Sequence, residues 1–328
     1  MHKGSMGKYL VTGVAGFIGS ALARALIQQG DQVRGIDDFS TGKPGNIAEL
    51  KGRLDFREVS LLDAAALSGA CAGIDCVFHE AALPSVPKSV AEPRLTNAVN
   101  VEGTLNLLVA ARDAQVKRVV YAGSSSAYGD SEVFPKHEGM TPQPISPYGV
   151  QKLTGELYMQ VFAGVYGLET VSLRYFNVFG PYQDANSQYS AVLAQFITQM
   201  LQGQAPTIYG DGEQSRDFTY IDNVVKGNLL AANAPAAQVS GRVFNIATGE
   251  RFTLNQTYRT LQGIIGFSAA PKYAEPRAGD VRHSLADIAL ARKYLNYSPD
   301  VGFEDGLKRT VEWYRQSAKA PVSTPALV

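Results

Sequence analysis

Seven residues near the N-terminus, Gly13-Val14-Ala15-Gly16-Phe17-Ile18-Gly19, constrain this chain more than any other segment. They stand between an apolar run, KYLVTG, that reads as a strand and a stretch, GFIGSALARALIQQG, with helical periodicity that stops at Gly30. The spacing is GxxGxxG. The first glycine permits a tight turn, the second clears space where a pyrophosphate would approach the backbone, and the third lets helix and strand pack closely. The free N–H groups and positive dipole end of the helix then favour an anion. A glycine triplet alone is weak; its position after the first strand of a strand–helix–strand unit gives it force.

The alternation continues. DQVRGIDD reads as a second strand, LDFREVS as a third, and CVFHEAA as a fourth after a helical stretch at residues 64–70. Residues 95–113 read as one long amphipathic helix, VKRVVYAGSS as a strand, residues 147–166 as a helix, and ETVSLRYFN as a strand. This pattern predicts an α/β fold, a doubly wound parallel (Rossmann) sheet with helices on both faces. After Asn177 the segments shorten and Gly and Pro punctuate them, as in a smaller mixed α/β C-terminal substrate domain. GRVFNIATG looks like one more core strand, so the two parts interleave. The expected division is 7–177, with 217–247 rejoining it, against 178–216 and 248–316. Residues 1–6 and 317–328 are expected to be disordered, with residues 1–5 foreign to the fold and Met6 the native start.

Composition excludes several classes. The 328 residues carry 30 Lys+Arg and 30 Asp+Glu, and the absence of a basic excess speaks against nucleic acid as a partner. At 45% hydrophobic the chain is no disordered polymer. Its two cysteines, Cys71 and Cys76, make no disulfide framework. With His2, His79, His137 and His283 scattered, no metal site is expected. No apolar run reaches the roughly 18 residues that span a bilayer, so no membrane contact and a cytoplasmic location are expected.

The second strand ends in Asp37-Asp38, and Asp37 lies where an acid would bond adenosine ribose hydroxyls and repel a 2′-phosphate. The next residues, Phe39-Ser40-Thr41-Gly42, bring no arginine, so NAD is favoured over NADP. The strand VVYAG runs into Ser124-Ser125-Ser126, which alone would be a polar turn. Tyr148 and Lys152 share a helix face at i and i+4. An ammonium near the phenol would lower its pKa and fit Tyr148 as a general base, with a strand-end serine holding the substrate oxygen.

Together these residues resemble the extended short-chain dehydrogenases/reductases, and within them the nucleotide-sugar epimerases. The resemblance runs from Tyr9 to about Tyr314 through TGVAGFIGS, DDFSTG, HEAA, NVEGTLN, SSS, YGVQK, LRYFNVFGP, SRDFTYIDN and GDVRHSLADI. It implies that Gly13, Gly16, Phe17, Ile18 and Gly19 surround the pyrophosphate of NAD. Asp37 with Ser40, Thr41 and Gly42 would serve the ribose side, Ala81 and Ala82 would line the cofactor, and Asn100 would support it. It implies Ser124, Tyr148 and Lys152 as the catalytic set, with Lys152 on the nicotinamide ribose. It places Ser85, Val86, Ser125, Ser126, Asn177, Val192, Tyr209, Arg216, Arg277, Asp280 and Ser284 on the UDP-sugar side. Ser60 departs from the resemblance, since many relatives have an aspartate there beside the adenine.

Dehydratases of the superfamily carry an acid after the catalytic serine or threonine; here Ser125 follows. Ser284 aligns with a gate that a tyrosine narrows in other members, and its small side chain leaves room for a 2-N-acetyl group. The motif combination looks most like bacterial UDP-N-acetylglucosamine 4-epimerases, which oxidise sugar C4 transiently. UDP-glucose and UDP-glucuronate 4-epimerases are alternatives within enzymes, and an NAD-binding sensor or scaffold is the non-enzymatic one. Relatives form homodimers through the helices at 95–113 and 147–166. Leu105, Leu108, Val109, Tyr158, Val161 and Phe162 could face either such a partner or the core.

Overall fold

A computed structural model describes residues 6–184, 192–276 and 281–319. Its centre is a seven-stranded sheet: β1 (Lys8–Thr12), β2 (Gln32–Asp37), β3 (Leu54–Glu58), β4 (Cys76–His79), β5 (Arg118–Ser124), β6 (Glu169–Tyr175) and β7 (Arg242–Ile246). The spatial order is β7-β6-β5-β4-β1-β2-β3, with every neighbouring pair parallel. β1 and β4 are neighbours without being consecutive, so the order reverses between them and opens a crevice at the carboxyl edge.

Alternation within strands feeds two cores. Leu10 and Val119 enter the core under α2 (Ala64–Cys71), α3 (Gly103–Asp113) and α4 (Pro147–Tyr166). Their neighbours Val11 and Val120 enter the core under α1 (Phe17–Gln29) and α5 (Ile221–Asn233). The local signals are legible. Asp63 caps α2 by accepting from the Ala66 N–H, Ser146 caps α4 by accepting from the Gly149 N–H, and Gly167 closes α4 in a left-handed turn.

The expected single helix at 95–113 is interrupted. A short helix, Pro93–Asn97, passes into a π-turn at Ala98–Glu102 before α3 begins. The apolar pattern continues through the break, but Asn100 sits in the widened turn and spends its side chain elsewhere. Its Oδ1 accepts from the Leu83 N–H at 2.8 Å, and its Nδ2 donates to the Leu83 carbonyl at 3.2 Å.

Outside the main sheet lie three two-stranded ribbons: Val178–Phe179 with Thr219–Tyr220, Ser215–Arg216 with Phe252–Thr253, and Thr207–Tyr209 with Lys272–Ala274. The chain leaves the sheet after β6, returns through α5 to β7, and leaves again after Ile246. The last helix, Phe303–Lys319, runs past the expected start of disorder at 317.

Candidate active site

The glycine turn is shaped by close approach. Gly13 has φ +66°, and a Cβ there would lie 2.8 Å from the Ala81 backbone. The turn is therefore pressed against the segment after β4, where Ala81 and Ala82 follow His79-Glu80. Gly16 caps α1 with no side chain over the first N–H groups, and Phe17 and Ile18 open the helix. Gly19 packs so that a Cβ would lie 2.2 Å from the Gly13 carbonyl oxygen.

Asp37, 8% exposed, ends β2 and ties this turn to it. Oδ2 accepts from the Ala15 N–H at 2.9 Å and Oδ1 from the Phe39 N–H at 2.8 Å. Each oxygen keeps a further lone pair for ribose hydroxyls. Burial raises the Asp37 pKa, and the two N–H donors oppose that rise. Gly42 lets the next loop close over it, since a Cβ there would sit 2.6 Å from Asp37 Oδ1. Ser40 and Thr41 lie on the same loop, and Ser60 bonds the neighbouring Asp38 carboxylate.

Beneath the crevice His79 is fully buried. Thr104 donates to the Asn100 carbonyl at 2.7 Å and so accepts from His79 Nε2 at 3.0 Å. The Ala81 N–H donates to Thr12 Oγ1 at 3.1 Å, leaving the Thr12 hydroxyl to donate to His79 Nδ1 at 2.9 Å. The network fixes a neutral imidazole with its proton on Nε2. Burial and the nearby Lys152 push its pKa down to about 3.

Tyr148 and Lys152 both reach from α4 to β5, two residues apart. The Tyr148 phenol is hydrogen-bonded with Ser124. Lys152 Nζ donates to the Ala122 carbonyl at 2.8 Å. Ser124 ends β5 and accepts from the Ser126 hydroxyl at 2.7 Å and the Ser126 N–H at 3.2 Å. Ser125 shares that short 3-10 turn.

One electrostatic expectation is corrected. Burial pushes the Tyr148 phenol up to about 12, and the Ser124 bond opposes this; Lys152 does not act to lower it. Helical spacing sets a shared face, but the long lysine chain carries its charge to the Ala122 carbonyl. Burial also lowers Lys152 to about 8, against the pull of Glu80 and Glu156.

The substrate-side residues divide. β6 pairs Tyr175 with Ser124, so Asn177, two residues on, stands at the same edge of the sheet. Asn177 Nδ2 donates to the Asp217 carbonyl at 3.1 Å and to Ser284 Oγ at 3.3 Å. The Ser284 N–H donates to the Ser215 carbonyl at 3.0 Å, which brings Ser284 beside the strand that carries Arg216. Arg216 also donates to the Ser215 and Arg282 carbonyls, each at 3.1 Å. Ser85 caps the helix Val86–Ala91, which Val86 opens; Ser89 of that helix accepts from the Tyr148 N–H at 3.1 Å. Tyr209 ends its ribbon strand exposed, and Val192 opens the helix Val192–Leu201. Arg277 and Asp280 lie outside the described residues.

Sequence reasoning missed Asp217 and Glu80. Asp217, fully buried, accepts from Thr248 N–H and Oγ1, Gly249 N–H and Ala286 N–H at 3.0, 2.8, 3.0 and 3.2 Å. One carboxylate thus fastens the Arg216 strand to the segments after β7 and after Ser284. Its signal was a lone acid between Arg216 and an aromatic run. Glu80 is an acid in an apolar strand end; Tyr175 donates to its Oε1 at 2.9 Å, and its Oε2 is buried without a hydrogen-bond partner. Burial pushes Glu80 up to about 7.

The family model described as "NAD dependent epimerase/dehydratase family" matches residues 9–247. The chain belongs to this family. NAD is the family's cofactor, and the residues fit it: the glycine turn has no room for a side chain, the helix start is bare, and the Asp37 oxygens retain acceptor capacity. Among solved structures, the chain is 40% identical to UDP-glucose 4-epimerase of Thermotoga maritima with UDP-glucose, covering 95% of this chain and all of that one, with a TM-score of 0.91. It is equally similar, 40% at TM-score 0.91, to UDP-N-acetylglucosamine 4-epimerase of Methanobrevibacter ruminantium with UDP-N-acetylmuramic acid, covering 95% of this chain and 99% of that one. UDP-glucuronic acid 4-epimerase of Bacillus cereus, with UDP-glucuronic acid and NAD, is 35% identical over 94% of this chain and 99% of its own, at TM-score 0.87. The family model and the fold agree with the doubly wound sheet and with an NAD-dependent enzyme. No helix among the described residues is long and apolar enough to cross a membrane.

Proposed function

We propose that this protein interconverts UDP-GlcNAc and UDP-GalNAc by epimerisation at sugar C4, with UDP-glucose and UDP-galactose as further substrates. The observation that carries the sugar assignment is Ser284: a small, nearly buried side chain within hydrogen-bond distance of Asn177, where a bulky gate would stand against a 2-N-acetyl group. When bound, NAD supplies a reversible hydride acceptor and a positive charge in the crevice. With that positive charge drawing its pKa down from the raised value of the protein alone, Tyr148 takes the proton of the C4 hydroxyl and returns it to the C4 oxygen once the sugar has turned over. Ser124 holds the C4 oxygen against the phenol. The Lys152 ammonium stands below them on the Ala122 carbonyl, placed for the nicotinamide ribose. Arg216, with Asn177 and the Arg277 and Asp280 of the resemblance, anchors UDP. In this reading the chain divides into 7–177 with 217–247 and 178–216 with 248–316, and NAD belongs to the first unit with UDP-sugar at the junction.

A homodimer completes the proposal. Leu108 and Phe162 are core residues, and Leu105, Val109 and Tyr158 pack half-buried against the same core. Val161 instead belongs to a solvent-facing stripe on α4 with Val150, Leu157 and Val165, at helical spacing. Four such side chains on one helix face suit a second copy of the chain in the cytoplasm.

The test is incubation with UDP-GlcNAc, with product read from anomeric proton signals. Appearance of UDP-GalNAc supports the reading. No conversion by protein that binds both NAD and UDP-GlcNAc overturns it. Conversion of UDP-glucose or UDP-glucuronate alone assigns the sugar to those relatives' class instead.

A further inference from the structure

The loop at 40–50, which follows β2, reaches back to the glycine turn. The Lys43 N–H and the Asn46 side-chain amide both donate to the Ala15 carbonyl, each at 2.9 Å. Gly42 leaves no room for a side chain against Asp37 and Ala15. Two short 3-10 turns, Pro44–Asn46 and Ala48–Leu50, make up the rest, and of their residues Leu50 alone is buried. A segment with so little core of its own opens at low cost unless something outside holds it.

The hold comes from beyond β6. Tyr182 lays its ring on Arg24 of α1, with the guanidinium carbon 3.7 Å from the ring centroid. Arg24, 15% exposed, donates to the Asn46 carbonyl and to the Glu49 carboxylate, which also accepts from the Tyr182 hydroxyl at 3.3 Å. Two residues on, Asp184 pairs with Lys43 Nζ at 2.8 Å. The Trp313 ring lies 4.9 Å from that of Tyr182, and Tyr314 donates to the Gln183 carbonyl, so the last helix backs the contact. Tyr182 has φ +67°, left-handed backbone that a bulky residue keeps only where its surroundings impose it.

We propose that Tyr182 is a positioning residue for NAD, a latch that holds the 40–50 loop down on the adenosine side so that the cofactor stays bound through successive turnovers. This rests on the reading of Asp37 as the acid that meets the adenosine ribose. In the proposed epimerisation the hydride is returned, so NAD need not leave, and holding it does not slow the cycle. The two tethers are unequal. The Lys43–Asp184 pair is exposed and screened by water, so it contributes little. The ring on a mostly buried guanidinium contributes more.

Tyr182→Ala tests this. Protein loaded with radiolabelled NAD is chased with unlabelled NAD, without sugar, and the retained label is followed. Release is about tenfold faster in Tyr182→Ala, from the loss of one partly buried cation–π contact. Tyr182→Phe keeps the ring on Arg24 and restores most of the slow rate. Arg24→Ala speeds release at least as much, and adding Tyr182→Ala to it changes little, because the contact is already gone. Unchanged release in folded Tyr182→Ala overturns the proposal, and so does a full further increase on top of Arg24→Ala. If Tyr182→Ala does not accumulate, Tyr182→Leu carries the same expectation, since it keeps apolar bulk against Trp313 without the ring for Arg24. Asp37→Ala is measured beside them. NAD affinity that survives Asp37→Ala overturns the ribose reading and the latch together. Affinity lost there with unchanged release in Tyr182→Ala overturns the latch alone. Since no sugar enters the chase, its outcome is independent of which UDP-sugar the protein turns over.

Discussion

The side-chain amide of Asn177 donates to the hydroxyl of Ser284 across 3.3 Å, joining a residue two positions past β6 to one more than a hundred positions later. A substitution at Ser284 therefore acts where Asn177 stands. Ser284→Tyr is expected to lower kcat/KM for UDP-GlcNAc by about a hundredfold or more, by filling the space beside the sugar. UDP-glucose should lose less than about tenfold. Steady-state rates on both substrates check this, and equal losses would remove Ser284 as the gate.

Tyr148→Phe removes the phenol that Ser124 bonds and leaves the glycine turn and Asp37 untouched. Turnover should fall by about 10²–10⁴, with NAD binding within a few-fold of the parent. Surviving activity would mean another group moves the proton.

Lys152 also marks stability. Its folded pKa, about 8, lies below the ordinary 10.5, so the unfolded chain binds the extra proton between those values. Stability attributable to this residue rises as pH climbs from 8 toward 10.5. The stability difference between parent and Lys152→Met should therefore move in the parent's favour across that window. Urea unfolding at pH 7.5, 8.5 and 9.5 measures it; a constant difference would contradict the shift. Turnover moves the opposite way, falling above pH 8 as the ammonium is lost.

Gly13→Ala forces a methyl to within 2.8 Å of the Ala81 backbone at a φ of +66°. The cost should be about 1–3 kcal/mol of stability. NAD affinity should fall more steeply than stability, since the shifted turn is the one proposed to meet the pyrophosphate. Calorimetric NAD titration of folded variant protein separates the two, and unchanged affinity would place the pyrophosphate elsewhere.

Most of the sheet was legible because its strands are apolar runs separated by glycines and helical periodicity. Tyr148, Lys152 and Ser124 were legible because helical spacing and a strand end are local facts. What escaped depends on contacts between distant segments. The π-turn at Ala98–Glu102 comes from Asn100 reaching the Leu83 backbone, which no helical pattern records. The destination of the Lys152 ammonium depends on β5 lying under α4. Glu80 stood in a quoted motif, but its bond from Tyr175 joins the ends of β4 and β6, 95 positions apart in sequence. Val161 and Phe162 are adjacent on one helix, yet one faces solvent and the other the core, so the choice between partner and core had to be made residue by residue.

The path of the backbone has a mechanical consequence. Because the chain leaves the sheet after Tyr175, comes back through Ile221–Asn233 into Arg242–Ile246, and departs again, the ribbons are sewn to the sheet by repeated stitches. A single-stranded hinge swings freely; a seam resists rotation. An epimerisation needs something to turn over between the two hydride steps, and a seamed frame assigns that motion to the small molecule. On the proposed epimerisation at C4, the protein would be the stator and the sugar the rotor, with the diphosphate as its axle.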